Sequence, residues 1–252
     1  MKKIVEELQT ITDKKQQIVA LQKLNTLLLT EYMLEIDQDL VLYPIEVEAY
    51  YHHKNNFPDT CVHQYQWQKN RYGKLYFHRA GKKEDAAFLF DGGGFDVCLS
   101  YSEDFYLGFL IRGAWINQEK EPICGPGLLT RRVVREICKN HEINKVTPKE
   151  ALTIRELEEK DTILQPAIND PRDKESVLFH STRVGIKPEN HPEYAPYHLR
   201  SLIELSAPNH PFRAKEKVVL DYMREHKIEP TVENIRKLLG SNSNWILKEL
   251  NK

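Results

Sequence analysis

The chain has 252 residues, 40% of them hydrophobic and 29% charged, enough for one large domain or for a domain of about 170 to 200 residues with small appendages. No apolar run is long enough to span a bilayer, and the opening "MKKIVEELQTITDKKQQ" lacks the apolar centre of a secretory signal; a soluble cytoplasmic protein is expected. A formal net charge of −1 gives no global nucleic-acid footprint, so any such footprint must be local.

Residues 3 to about 35 read as helix, because Ile4, Leu8, Ile11, Ile18, Leu21, Leu24 and Leu28 recur at three- and four-residue steps, with a break near Thr12 to Lys14. From 41 to 116 the pattern changes to short strands: "YPIEVEAYY", "GKLYFHR", "AAFLF", "FDVCLSYS" and "FYLGFLIRGAWI". In the first of these Ile45, Val47 and Ala49 alternate with Glu46, Glu48 and Tyr50. That period of two buries one face, and leaves the other either as a solvated strand face or as the floor of an active site. "DGGGFD" reads as a hairpin connection; a glycine triplet that cradles phosphate is normally followed by a helix, and none is signalled there.

"ICGPGLLTRRVVREICKNH" predicts a loop and then a helix whose buried stripe is Leu129, Val133, Val134 and Ile137, with Arg131, Arg132, Arg135 and Lys139 largely on the other side. A more polar segment follows, with "TPKEALTIREL" as a helix signal, and leads to "STRVGI". Beyond "APNHPFRAK" three short helices are expected, with Gly240 stopping the second and Ser241 or Ser243 capping the third. They match a helix-turn-helix outline as well as a plain helical cap. The expected organisation is an N-terminal helical segment (1–40), a main domain (41–211) and a C-terminal helical segment (212–252).

Cys61, Cys98, Cys124 and Cys138 form no CxxC pair and no regular spacing, as expected of reduced thiols. No HExxH or CxxC pattern supplies metal ligands, so a metal is not expected. Between Gln64 and Lys83, the cations Lys69, Arg71, Lys74, Arg79, Lys82 and Lys83 are interleaved with Tyr65, Trp67, Tyr72, Tyr76 and Phe77. Cations for phosphates and rings for bases suit a nucleic acid, and the same composition describes an ordinary amphipathic hairpin. Arg112 emerges from the apolar run "LGFLI", where a guanidinium needs a carboxylate partner or an anionic ligand.

Six short stretches in order, "EVEAY" (46–50), "DTCVH" (59–63), "GKLYFH" (73–78), "FLIRGA" (109–114), "GPGLLT" (125–130) and "RVGI" (183–186), resemble the 3-methyladenine (alkyladenine) DNA glycosylase family over roughly residues 41 to 205. The resemblance implies an α+β fold, a single main domain with a curved antiparallel sheet and packed helices. It implies a monomer, without a metal or organic cofactor, that excises alkylated or deaminated purines flipped out of double-stranded DNA. On this reading Glu48 is the general base that activates water for attack on C1′, with Arg112 and the backbone carbonyl of Val184 placing that water. Tyr50, His63 and His78 line the base pocket, and Lys69, Arg71, Lys74, Arg79 and Arg131 are the DNA-contact candidates.

The chain departs from the family pattern in several places. The family's wedging aromatic has no counterpart in "HRAGKKEDAAFLFDGGG", where only Phe88 and Phe90 are available and both fit a core strand. His78 stands for a second aromatic, Cys98 falls near a pocket asparagine, and Leu128 replaces a lysine. Two alternatives are a non-catalytic nucleic-acid-binding protein of the same fold and an N-glycosidic hydrolase acting on another substrate.

Overall fold

The computed structural model describes residues 1–250 except 38, 63–64, 82, 84–85, 90–91, 118, 143–147 and 161–162. Two helices open the chain, α1 (Lys2–Thr10) and α2 (Lys14–Thr30). The expected break between them is made by Asp13, whose carboxylate accepts the Gln16 N–H at 2.9 Å as an N-cap. The helix expected to reach about residue 35 ends at Thr30, and Tyr32–Asp37 is strand β1. The three-to-four periodicity has ended by Leu28, and Leu34 and Ile36 are fully buried by the pairing of β1 with the next strand.

The remaining strands are β2 (Leu40–His53), β3 (Phe57–Pro58), β4 (Lys74–Phe77), β5 (Phe95–Cys98), β6 (Phe105–Ile116), β7 (Ile123–Cys124), β8 (Leu164–Pro166), β9 (Phe179–Ser181) and β10 (Arg200–Leu202). They form one curled sheet of order β4-β5-β6-β2-β1-β8, with antiparallel pairing. β10 joins β2 and carries β9 on its far side. The other helices are α3 (Pro126–Asn140), α4 (Pro148–Glu159), α5 (Lys215–Glu225), α6 (Val232–Leu239) and α7 (Asn244–Leu250).

"AAFLF" is not a strand of this sheet: its described residues contribute only an isolated bridge between Phe88 and Arg79. His52 and His53 complete β2. The C-terminal helices end and begin as expected. Gly240 closes α6 at φ +79°, where a Cβ would stand 2.1 Å from the Ser206 carbonyl oxygen, and the Ser243 hydroxyl accepts the Ile246 N–H.

The terminal segments are not appendages with cores of their own. Leu21, Leu24 and Leu28 of α2, and Val218, Val219 and Met223 of α5, are fully buried in the same cluster as β2 and β6. Each such side chain contributes on the order of 2 kcal/mol through burial. α5 also lies on β9, with the Tyr222 and Phe179 ring centroids 4.8 Å apart. This packing holds the segment that follows β9 against β2, where the polar residues of "EVEAY" sit.

Candidate active site

β2 is covered on both faces, so the two carboxylates of its polar half are not solvated and Tyr50 is only partly exposed. Glu46 and Glu48 are 1% and 0% exposed. Arg112 reaches them because of a register break: Val47 pairs with Ile111 and Glu46 with Gly113, which leaves Arg112 as the extra residue of a β-bulge. Bulges of this kind re-aim a side chain. The Arg112 Nε donates to Glu46 Oε1 at 2.8 Å and stands 3.4 Å from Glu48 Oε1. From β10, Arg200 Nε donates to the same Glu46 oxygen at 2.7 Å. Glu46 is therefore the shared partner of two buried guanidiniums, with no place for a solvated role.

The Glu48 carboxylate is held from two further sides. Its Oε2 accepts the Tyr50 hydroxyl at 2.9 Å and its Oε1 accepts the Val184 N–H at 2.6 Å. It is the amide of Val184, rather than its carbonyl, that meets the carboxylate. Burial pushes the Glu48 pKa above the ordinary carboxylate range, against the opposing pull of Arg112 and the Val184 N–H. Burial, reinforced by the charge of Glu48, likewise raises the Tyr50 phenol well above its usual value. The phenol therefore stays protonated and donates to Glu48.

Tyr50 is fixed from behind. The Arg183 guanidinium lies 4.8 Å from the centre of its ring, and Arg183 Nη1 donates to Asp59 Oδ2 at 2.6 Å, with both side chains fully enclosed. Asp59 also accepts the Cys61 N–H at 2.8 Å through its other oxygen. Asp59 thus ties the start of the "DTCVH" segment to the segment that delivers Val184. Asp59, Arg183, Glu46 and Arg200 received no role from the sequence. Asp59 and Arg183 do open two of the recurring motifs, which was the available signal; Arg200 had none beyond a charge beside an apolar run.

His63 lies outside the described residues. His78 follows β4, which β5 and β6 separate from β2, and its Nε2 is 3.2 Å from Asp96 Oδ2. Its ring borders Gly94, where a Cβ would also strike Leu110, the β6 partner of Glu48. Tyr106 lies over Gly108, whose missing Cβ leaves room for the phenol, and donates to Gln68 Oε1 at 3.0 Å. Cys98 is buried beside the same Gln68 oxygen. His78, Asp96, Tyr106 and Gln68 form a second polar cluster across Leu110 from Glu48.

The basic hairpin is arranged differently from its expected DNA-facing role. Arg79 is 4% exposed, makes a two-pronged ion pair with Glu158 (2.6 and 2.9 Å), and lies 4.0 Å over the Phe88 ring. It belongs to the interior because α4 brings a buried carboxylate to it. Arg71 and Lys74 reach Glu159 at 2.7 and 2.9 Å, and Lys69 donates to the Glu103 carbonyl. Arg131 is exposed on α3. Lys82 and Phe90 lie outside the described residues.

Among the described residues no helix is long and apolar enough to cross a membrane, and no three His, Cys, Asp or Glu side chains are grouped to hold a metal ion. No protein-family model matches the chain, and no curated protein matches it in sequence.

Proposed function

We propose that the chain hydrolyses the N-glycosidic bond of damaged purine nucleotides, alkylated or deaminated, extruded from duplex DNA. The observation that carries this reading is the convergence of Glu48, Tyr50, Arg112 and Val184, residues from three of the six short stretches and from separate parts of the chain, around one buried carboxylate. In the proposed reaction Glu48 takes a proton from water as the water oxygen bonds to C1′. The C1′–N bond breaks and its electron pair leaves with the base. The transition state resembles an oxocarbenium ion, which the same carboxylate stabilises electrostatically. A carboxylate with a raised pKa is the stronger base for that proton. Arg112 keeps Glu48 ionisable despite burial, and Tyr50 offers a ring for the extruded base. The scheme uses no metal or organic cofactor.

The test is release of free base from duplexes carrying 3-methyladenine, 7-methylguanine or hypoxanthine, by the wild type and by Glu48→Gln. Release by the wild type that falls at least about a hundredfold in the variant supports the reading; release that survives the substitution removes Glu48 from the role of base.

A second reading, binding of nucleic acid without excision, is favoured by the complete enclosure of Glu48. Water reaches this carboxylate only when Tyr50 or the segment around Val184 gives way. Tight duplex binding with no base released from any of the three lesions selects this reading.

A further inference from the structure

The C-terminal helices have the parts of a helix-turn-helix. α5 lies against both α6 and α7, and Val219, Met223, Ile235, Leu238 and Ile246 are buried in one apolar cluster. Four residues, Gly240 to Ser243, join α6 to α7, the length and the glycine that the motif requires. The turn is fixed in place. Arg236 Nε donates to Asn242 Oδ1 across it at 3.1 Å, and the Ser243 hydroxyl that caps α7 also donates to Glu216 Oε1 of α5 at 2.5 Å. α7 is thereby pinned to both other helices.

α7 turns Asn244, Trp245 and Lys248 to solvent, and Asn244 and Lys248 stand one turn apart on the same helix face. Trp245 is 42% exposed. Lys237, near the end of α6, is exposed as well. None of these four side chains makes a hydrogen bond or ion pair with the described residues. The charge of the segment is also distinct: residues 212–252 carry nine lysines and arginines against six acidic residues, although the whole chain stands at −1. The helices adjoin the candidate site, because Arg200, which holds Glu46, donates through Nη2 to the Arg213 carbonyl two residues before α5, at 2.8 Å.

We propose that α6, its turn and α7 form a separate DNA-reading element, in which Asn244 and Trp245 meet base edges in the major groove of intact duplex and Lys237 and Lys248 meet phosphates. The chemistry of the exposed face matches that partner. A carboxamide offers the donor and acceptor that pair with the edge of adenine, and an aromatic side chain makes apolar contact with the methyl group of thymine. Ammonium groups on the flanks complement the phosphate charge. In a helix-turn-helix the second helix enters the groove while the first crosses the backbone, which is the division of these side chains between α7 and α6. The inference goes beyond the hydrolase reading, since it concerns paired bases read by sequence and makes no use of Glu48 or of an extruded nucleotide.

The test offers the full chain a pool of undamaged duplexes with a randomised centre, sequences those retained, and measures affinity for them against salt. Wild type and Glu48→Gln are expected to enrich the same short sequence. Asn244→Ala should lose about tenfold in preference at one base pair, and Lys248→Ala should weaken binding to all duplexes and reduce the salt slope by about one, with Lys248→Arg restoring it. Circular dichroism confirms that each variant is folded. Failure of the wild type to enrich any sequence, a preference that Asn244→Ala leaves intact, or a salt slope that Lys248→Ala leaves intact overturns the inference. Self-association in sedimentation that Trp245→Ala abolishes makes the face a contact between copies, and overturns it too. Enrichment without release of any damaged base upholds the inference and overturns the hydrolase reading. Base release by a chain that enriches no sequence does the reverse.

Discussion

The Val184 N–H donates to Glu48 Oε1 at 2.6 Å across 136 residues of chain, so the carboxylate on β2 is positioned by a segment that folds onto it late in the sequence. Glu48→Gln keeps the shape and an oxygen for that donor. Base release is expected to fall by a factor of about 10² to 10⁴, with the fold retained. The sign of the stability change follows from the raised pKa. The folded protein holds the Glu48 proton more tightly than the unfolded chain, so wild-type stability declines as pH rises from the ordinary carboxylate range through the raised pKa. The glutamine variant lacks that decline, and denaturant melts across this pH range should show its stability gaining on wild type as pH increases.

Asp59 is expected to act on the same carboxylate through Arg183 and Val184. Asp59→Asn weakens the hold on Arg183, loosens the Val184 N–H, and so removes an influence that lowers the Glu48 pKa. The acidic limb of kcat/KM against pH, which marks deprotonation of the base, should move to higher pH, with kcat down about tenfold. A purely structural role would reduce the folded fraction and leave the limb where it is.

Glu46 neutralises two buried guanidiniums through a single oxygen. Glu46→Ala leaves Arg112 and Arg200 enclosed without that partner, and a loss of about 3 kcal/mol is expected in urea unfolding. A variant as stable as wild type would mean that Glu48 alone balances both charges.

Arg79 and Glu158 predict a different pattern. Arg79→Ala should destabilise the protein by about 3 kcal/mol, because the Glu158 charge is left buried with no guanidinium against it, while Arg79→Met combined with Glu158→Gln, which keeps an acceptor for the Phe77 N–H, recovers part of the loss. Neither should alter the salt dependence of DNA binding; a change would return Arg79 to the surface.

Much of this arrangement was legible where periodicity is local. The break before Lys14, the caps at Gly240 and Ser243, and the sharing of one strand face by Glu48 and Tyr50 follow from spacing alone. What escaped depends on partners far away in sequence. A period of two in β2 identifies two faces but not that β10 will cover the polar one with Arg200, 154 residues on. The cations and rings between 64 and 83 fit a nucleic-acid surface and an interior clasp equally well. Only the arrival of α4, with Glu158 and Glu159, separates the two for Arg71, Lys74 and Arg79. At Tyr32–Asp37 the helical spacing has already lapsed, but no Gly or Pro marks the change, so the helix reads on into the strand.

That clasp also bears on how the protein would find its target. An arginine or lysine bound to a glutamate acts at long range as a dipole, and beyond a Debye length of about 8 Å it contributes little field. With Arg79 balanced by Glu158, Arg71 and Lys74 sharing Glu159, and a net charge of −1, the proposed encounter with DNA would proceed with little steering. Association is expected near the unsteered range of about 10⁵ to 10⁶ M⁻¹s⁻¹, with a weak dependence on ionic strength. On the proposed DNA reading, discrimination between damaged and intact sites would fall to how long each complex survives.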